Sequence, residues 1–367
     1  MKKSFLHTKV RQQGFTLTEL MVGLTVSLIL VAMIAQIYVG ARTTYRYQTE
    51  LAGIQESGRF ALELISQDAK SSGFQGCGDV GVVANVLNSS TASWWLDTAR
   101  PIRVFNSTTG FPANLSNIDT ASDAVSFIRS DSVSERLVTA HDPVTATFTV
   151  SSVPLFEQGD LLLVTDCQSS AFFQMTGPTP SSTNTLIEHN DSATAAGFSP
   201  GNCQKSLGTS CGVVGATKQF GAGSLVSRIV SNAFFVAPSR TSGAGNSLYV
   251  RFPVRSGKVI DATTSTTTEP FYPVEMVPGV QAMKISYGVD DDGDLSANRF
   301  LRADDVDSLG LLNRVVSLHV EILVRSQGNG LASTSQTYTF NGSSVTAADR
   351  RIYKVFSTTI NLRNRSS

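Results

Sequence analysis

Few side chains of this 367-residue chain stand where chemistry would need them, and the first is Glu19. It is the one charge in the apolar run from Gly14 to Val39, GFTLTELMVGLTVSLILVAMIAQIYV. An acidic side chain at the centre of a membrane span costs about 2.5–3.5 kcal/mol, and less towards its end, so Glu19 calls for a partner. Thr16-x-x-Glu19 also fits a capping box, in which two side chains take up the free backbone N–H groups of a helix's first turn. The two roles are compatible, since the helix dipole favours a carboxylate at that end.

The second constellation is Asp290-Asp291-Asp292-Gly293-Asp294. Carboxylates at alternate positions, Asp290, Asp292 and Asp294, offer hard oxygen ligands of the kind calcium collects in sets of about six to eight. The EF-hand pattern fails, because glycine is not at the sixth position and Leu301 stands where the bidentate glutamate belongs. A solvated turn after a strand ending at Val289 accounts for the same residues, and calcium is the one candidate cofactor. The four cysteines, Cys77, Cys167, Cys203 and Cys211, contain no C-x-x-C and are poorly spaced for zinc. They allow three pairings. We favour Cys203–Cys211, which closes a short local loop, and by elimination Cys77–Cys167.

Catalytic motifs are absent: there is no G-x-S-x-G, no H-E-x-x-H and no Walker loop. His7, His141, His189 and His319 are scattered, and His319 falls on the polar face of an alternating run. Trp94-Trp95 fits a core or subunit-contact pair better than an adhesive patch. The chain reads as no enzyme. With 29 basic and 29 acidic residues it has no net charge to suggest nucleic acid or an acidic substrate as partner.

The elements that hold these residues begin with a membrane span. About 25 residues at 1.5 Å each cross a bilayer core of about 30 Å. Lys2, Lys3, Lys9 and Arg11 precede it and place the N-terminus in the cytoplasm, with everything after Val39 outside. A secretory signal would be shorter and would end in a small-residue cleavage site, which is missing after Val39. All four cysteines therefore fall in an oxidising compartment. The helical pattern continues beyond the span, with Leu51, Ile54, Gly58, Ala61, Ile65 and Ala69 forming an apolar stripe between charged flanks. A helix from about Thr16 to Lys70, roughly 80 Å long, ends at Ser71-Ser72-Gly73. Its second half should lie on a sheet. From Phe74 the chain alternates as strands do at Ala124–Arg129, Val144–Val150, Val316–Val324 and Ile352–Leu362. Continuous apolar runs at Leu161–Val164 and Ser247–Val254 read as more deeply buried strands. Pro178–Asn184, Pro238–Asn246, Asp261–Thr268 and Ser326–Ser335 read as loops, and Gly197–Gly223 as a disulfide-stapled surface loop.

The basic leader, Gly14-Phe15-Thr16-Leu17-Thr18-Glu19-Leu20 and the long apolar helix together resemble the type III signal of type IV prepilins and of type II secretion pseudopilins. The resemblance implies that a prepilin peptidase cuts between Gly14 and Phe15 and that the new amine of Phe15 is N-methylated. Glu19 would then accept the N-terminal amine of a neighbouring subunit and set its register in the filament. Many pilins carry a proline within the span; here Gln36 and Gly40 are the nearest irregularity. Further stretches resemble the PilW family of minor pilins: Gly73-Phe74-Gln75-Gly76-Cys77, Gly159 to Cys167, Val280–Asp294, and the ending from Asp349-Arg350-Arg351 through Thr358 to Arg365.

The resemblance implies an α+β, pilin-like fold: a leader (residues 1–14), a transmembrane or filament-core helix (15–39), an amphipathic half-helix (40–72) and a β-rich periplasmic head (73–367). It implies a single-pass inner-membrane protein, N-terminus cytoplasmic, incorporated at the pilus tip. There it would start assembly and support adhesion, twitching motility and DNA uptake. Its partners would be prepilin peptidase, other minor pilins, the major pilin, the inner-membrane assembly platform and a tip adhesin. A J-type pseudopilin of type II secretion and a membrane-tethered periplasmic enzyme are the alternatives.

Overall fold

The computed structural model describes residues 14–74, 82–88, 94–112, 115, 117–153, 155–178, 184–192, 200–213, 215, 217–252 and 273–365. The leader before Gly14, Cys77 and the Asp261–Thr268 loop lie outside these residues. Two compact units are present, Met1–Ala52 and Gly53–Ser367.

A single helix, α1 (Leu17–Ser71), begins in the first unit and ends in the second. In the first unit its apolar side chains, from Leu17 and Leu20 to Ile37 and Val39, are exposed. This is the stretch long and apolar enough to cross a membrane. In the second unit the stripe does what its spacing requires: Ile54, Gly58, Ala61, Ile65 and Ala69 are buried. Glycine is needed at 58 because a Cβ there would enter the ring of Phe356. Asp68 is buried on the same face, which the stripe did not announce. Its carboxylate accepts from Arg129 Nε at 3.0 Å and from Asn232 Nδ2 at 2.6 Å, so the charge is both paired and hydrogen-bonded. The helix stops where expected: Gly73 takes φ +77° and donates its N–H to the Ile128 carbonyl at 2.9 Å.

The chain then forms β1 (Val82–Asn85), β2 (Ile102–Phe105), β3 (Ala124–Asp142), β4 (Thr147–Val150), β5 (Leu161–Thr165), β6 (Ser169–Gln174), β7 (Leu186–Glu188), β8 (Leu225–Pro238), β9 (Asn246–Arg251) and β10 (Val274–Pro278). These ten make one sheet around the path β1-β6-β5-β8-β3-β4-β7. Among the described residues only β1 and β6 pair in parallel. The second sheet is antiparallel, in the order β12-β11-β13-β16, from β11 (Val280–Val289), β12 (Arg299–Leu301), β13 (Val315–Arg325) and β16 (Tyr353–Asn361). A short helix, α2 (Ala303–Ser308), follows β12, and β14 (Thr337–Phe340) and β15 (Ser343–Thr346) form a separate hairpin. The architecture is α+β and pilin-like, a long N-terminal helix with a β-rich remainder.

Polar ties lock the two sheets together. The Asp123 N–H donates to the Met283 carbonyl at 2.8 Å, Lys284 Nζ meets Asp123 Oδ1 at 3.1 Å, and the Val104 N–H donates to the Tyr287 hydroxyl at 2.9 Å. Trp94 is buried with Phe105, Phe235 and Tyr249, its ring edge-on to Trp95, so the tryptophan pair belongs to the core.

One sequence expectation is corrected here. The Cys203–Cys211 disulfide is present, but its segment is not a surface loop, because Gly201, Asn202, Leu207 and Phe220 are buried. The N–H groups of Cys203 and Cys211 donate to the carbonyls of Val86 and Asn85, so the stapled segment closes the outer edge of β1. Leu207 and Phe220 enter the core beside Phe148 and Phe173. Isolated apolar residues in a glycine-rich stretch carry no periodicity, and burial that depends on distant partners is not marked locally.

Candidate functional sites

At the N-terminus, Thr16 and Glu19 form the reciprocal cap that their spacing allows. The Thr16 N–H and hydroxyl donate to Glu19 Oε2 at 3.1 and 2.9 Å, and the Glu19 N–H donates to Thr16 Oγ1 at 3.3 Å. Gly14 and Phe15 lie just before this first turn, both exposed. The carboxylate is thus held at the start of the apolar helix and remains open to a second partner on its solvent side.

The aspartate loop follows β11. Ligand atoms of Asp290, Asp292 and Asp294 lie within 4.8 Å of one another, the one group of this kind among the described residues. The loop is also well satisfied by itself. Asp290 accepts the N–H groups of Asp292, Gly293 and Leu295 at 3.1, 2.6 and 2.9 Å, and these bonds, that from Gly293 foremost, hold its carboxyl below the ordinary range. Asp294 accepts from the Ser296 N–H, Asp292 from Asn298 Nδ2, and Asp291 pairs with Arg299. Asp290 Oδ1 takes two of these N–H groups, whereas Asp290 Oδ2, Asp292 Oδ2 and Asp294 Oδ1 each take one and keep a lone pair for a cation.

Of the cysteines, Cys203 and Cys211 are joined as expected, with Cα atoms 5.9 Å apart. Cys167 is also held in a disulfide, while the other half of the expected Cys77–Cys167 pair lies outside the described residues.

The histidines need a second correction, because two of them are not scattered. His141, near the end of β3, and His189, just after β7, place their Nε2 atoms 3.1 Å apart, and both are buried. His141 stacks on Phe148 with ring centres 4.0 Å apart, and Phe173 and Phe220 close the surroundings. The tautomers follow from the hydrogen bonds. His141 Nδ1 accepts the Phe220 N–H at 3.0 Å, so its proton sits on Nε2 and is donated to His189 Nε2. His189 then carries its proton on Nδ1, which has no partner among the described residues.

There is room for one proton per ring and no more. Burial pushes the pKa of His141 down to about 4, and burial together with His141 pushes that of His189 down to about 3. A metal held between the two Nε2 atoms would force the His141 proton onto Nδ1, against the Phe220 N–H, so the pair is a structural contact rather than a metal site. Forty-eight residues separate the two histidines, and only the antiparallel pairing of β3 with β4 and of β4 with β7 brings them together. His319 sits where its run placed it, half-exposed and 3.1 Å from the Thr359 hydroxyl.

Comparison with known proteins matches the two ends of the chain. Residues 9–35 fit the family model described as the prokaryotic N-terminal methylation motif. Residues 247–364, from β9 to the end of the second sheet, fit the model of type IV pilus-assembly protein W. No curated protein and no solved structure matches the chain. The matched segments contain Gly14, Phe15, Glu19 and the aspartate loop; the histidine pair and all four cysteines fall between them.

Proposed function

We propose, for a chain that is type IV pilin-like at its N-terminus and PilW-like over its last third, that it acts as a minor pilin which helps to start pilus assembly and sits in the tip complex. A prepilin motif on an apolar helix fits a single-pass inner-membrane protein that enters pili, and a pilus-assembly sequence fits a structural component. The finer reading is that prepilin peptidase cuts between Gly14 and Phe15 and that Phe15 is N-methylated. The basic leader then marks the cytoplasmic side, and the β-rich unit faces the periplasm. There it meets other minor pilins, the major pilin, the assembly platform and a tip adhesin.

The observation that carries this reading is the position of Glu19. It is fixed by Thr16 at the start of an apolar helix whose side chains are exposed, so the carboxylate can meet the amine of a neighbouring subunit within a helix-packed filament. A buried charge of that kind is tolerated only when it is paired.

Two measurements test it. The mature protein recovered from sheared pili should begin at N-methylated Phe15; an intact Met1, or a terminus after Val39, would refute the reading. Glu19→Ala should leave membrane abundance unchanged while reducing incorporation into pili, and unchanged incorporation would reduce Glu19 to a helix cap. We also propose calcium as an occupant of the Asp290, Asp292 and Asp294 loop, on the strength of their proximity.

A further inference from the structure

β16 is the outer strand of the second sheet, and its free side follows from its bonds. The Ser326 N–H donates to the Ile352 carbonyl and the Leu362 N–H to the Val316 carbonyl, so even-numbered residues bond inward to β13. Odd-numbered residues therefore turn their N–H and C=O groups outward. The first of these, Tyr353, is satisfied by a side chain standing in for a strand: its N–H donates to Gln336 Oε1 at 2.9 Å, and its carbonyl accepts from Gln336 Nε2 at 2.8 Å. Beyond it Val355, Ser357 and Thr359 have no backbone partner on that side among the described residues.

The other edges of the two larger sheets are closed or blunted. The Cys203–Cys211 segment covers β1, and the Tyr287 hydroxyl takes the Val104 N–H of β2. Thr176 and Gly177 bond to Glu188 of β7, while β10 is broken by a bulge between Glu275 and Val277. At the other margin of the same sheet, β12 is three residues long and carries the ion-paired Arg299. On β16 such protection is confined to its start, where Gln336 bonds Tyr353, Tyr338 of the β14–β15 hairpin stacks on the Tyr353 ring and Lys354 supplies a charge; from Val355 on the strand itself carries none. It pairs with β13 over nine residues without a register shift, and its free stretch, Val355-Phe356-Ser357-Thr358-Thr359-Ile360-Asn361, holds no charge, no proline and no glycine. A regular, uncharged edge of this kind is a template for another strand.

We propose that the β16 edge receives an extended strand of another protein, which joins the sheet as a fifth strand. The side chains beside it define that strand. Phe356 and Ile360 lie on the inner face, Ile360 buried and Phe356 against Gly58 of α1, whereas Ser357 and Thr359 are exposed on the outer face. The partner strand is therefore uncharged and alternating, apolar towards α1 and small or polar on the other side. A second copy of this chain is disfavoured. Twofold antiparallel pairing of two β16 strands would reverse the helix that lies on the inner face, yet two chains entering one membrane by their N-terminal helices must run the same way. That choice of occupant rests on the membrane reading of α1; the free edge does not.

The test uses the full chain in its own cells, with the photo-cross-linker p-benzoylphenylalanine placed at Thr359, and at the 83 % exposed Val144 as control. Illumination should join position 359 to an uncharged, alternating segment of a different protein, identified by mass spectrometry of the joined peptides, and should leave position 144 unjoined. Ser357→Pro removes only an outward N–H, so the adduct should fall about tenfold while membrane abundance and melting temperature hold. If that variant fails to accumulate, Ser357→Lys, which keeps every backbone bond, should lower the adduct in the same way. No adduct at 359, an equal yield at 144, an adduct at twice the chain's own mass, or a yield indifferent to the 357 variants would each overturn the proposal. Failure of the pilin reading would show instead at the N-terminus, as an uncut Gly14–Phe15 bond.

Discussion

The histidine pair should make the protein acid-sensitive well above the pH at which its carboxylates titrate. In the unfolded chain both rings have a pKa of about 6.5. In the folded protein His141 is pushed down to about 4 and His189 to about 3. Both folded values are depressed, so below pH 6.5 the unfolded state binds more protons, and stability falls as pH drops from 6.5 towards 4. The charged groups around the pair are Asp142, which raises His141, and His141 and Lys205, which both lower His189. At pH 5 the full linkage is about 2 kcal/mol per ring, and discounting His141 by half for solvent screening leaves about 3 kcal/mol for the pair.

For a unit as large as Gly53–Ser367 that loss corresponds to a melting temperature lower by about 4–5 °C at pH 5 than at pH 7. The assay is thermal unfolding of the full chain in detergent across pH 5–7. A His141→Asn/His189→Leu double variant, less stable throughout, should show a nearly flat profile over the same range. A wild-type midpoint that moves by less than about 2 °C, or a double variant with the wild-type slope, would refute the proton count drawn from the Phe220 and His189 contacts.

Other consequences can be measured on the same preparation. Gly58→Ala gains about 1 kcal/mol of helix propensity but drives a methyl into the Phe356 ring; overpacking at about 1–3 kcal/mol should win, and a higher midpoint would refute the close approach. Asp68→Ala leaves Arg129 and Asn232 without their shared acceptor and should cost about 3–5 kcal/mol in denaturant titration, with Asp68→Asn milder. Opening Cys203–Cys211 with paired serines should cost about 2.5 kcal/mol from the eight-residue separation, and non-reducing peptide mapping should find Cys167 joined to Cys77. Calcium should raise the midpoint of the wild type and not of Asp292→Asn/Asp294→Asn; equal behaviour of the two would leave the loop as a self-satisfied turn.

Local patterns in the sequence were enough for the N-terminal signal, the long helix and its stop at Gly73, because capping, helical spacing and chain reversal act within a few residues. They were enough as well for the alternating strands of the second sheet, whose polar outer face leaves a period of two. The short disulfide and the aspartate turn were legible for the same reason. What only the tertiary structure decided lies between residues far apart in the chain. Asp68 among the small residues of the helix stripe looked like a polar flank until Arg129 and Asn232 supplied its bonds. Leu207 and Phe220 looked like loop residues until the core of the first sheet closed on them. His141 and His189 looked unrelated until strand pairing set them together in an apolar pocket that admits one proton each. The free side of β16 is equally invisible in sequence, because which strand ends a sheet is fixed by the order in which distant strands pair and not by the residues of the strand itself.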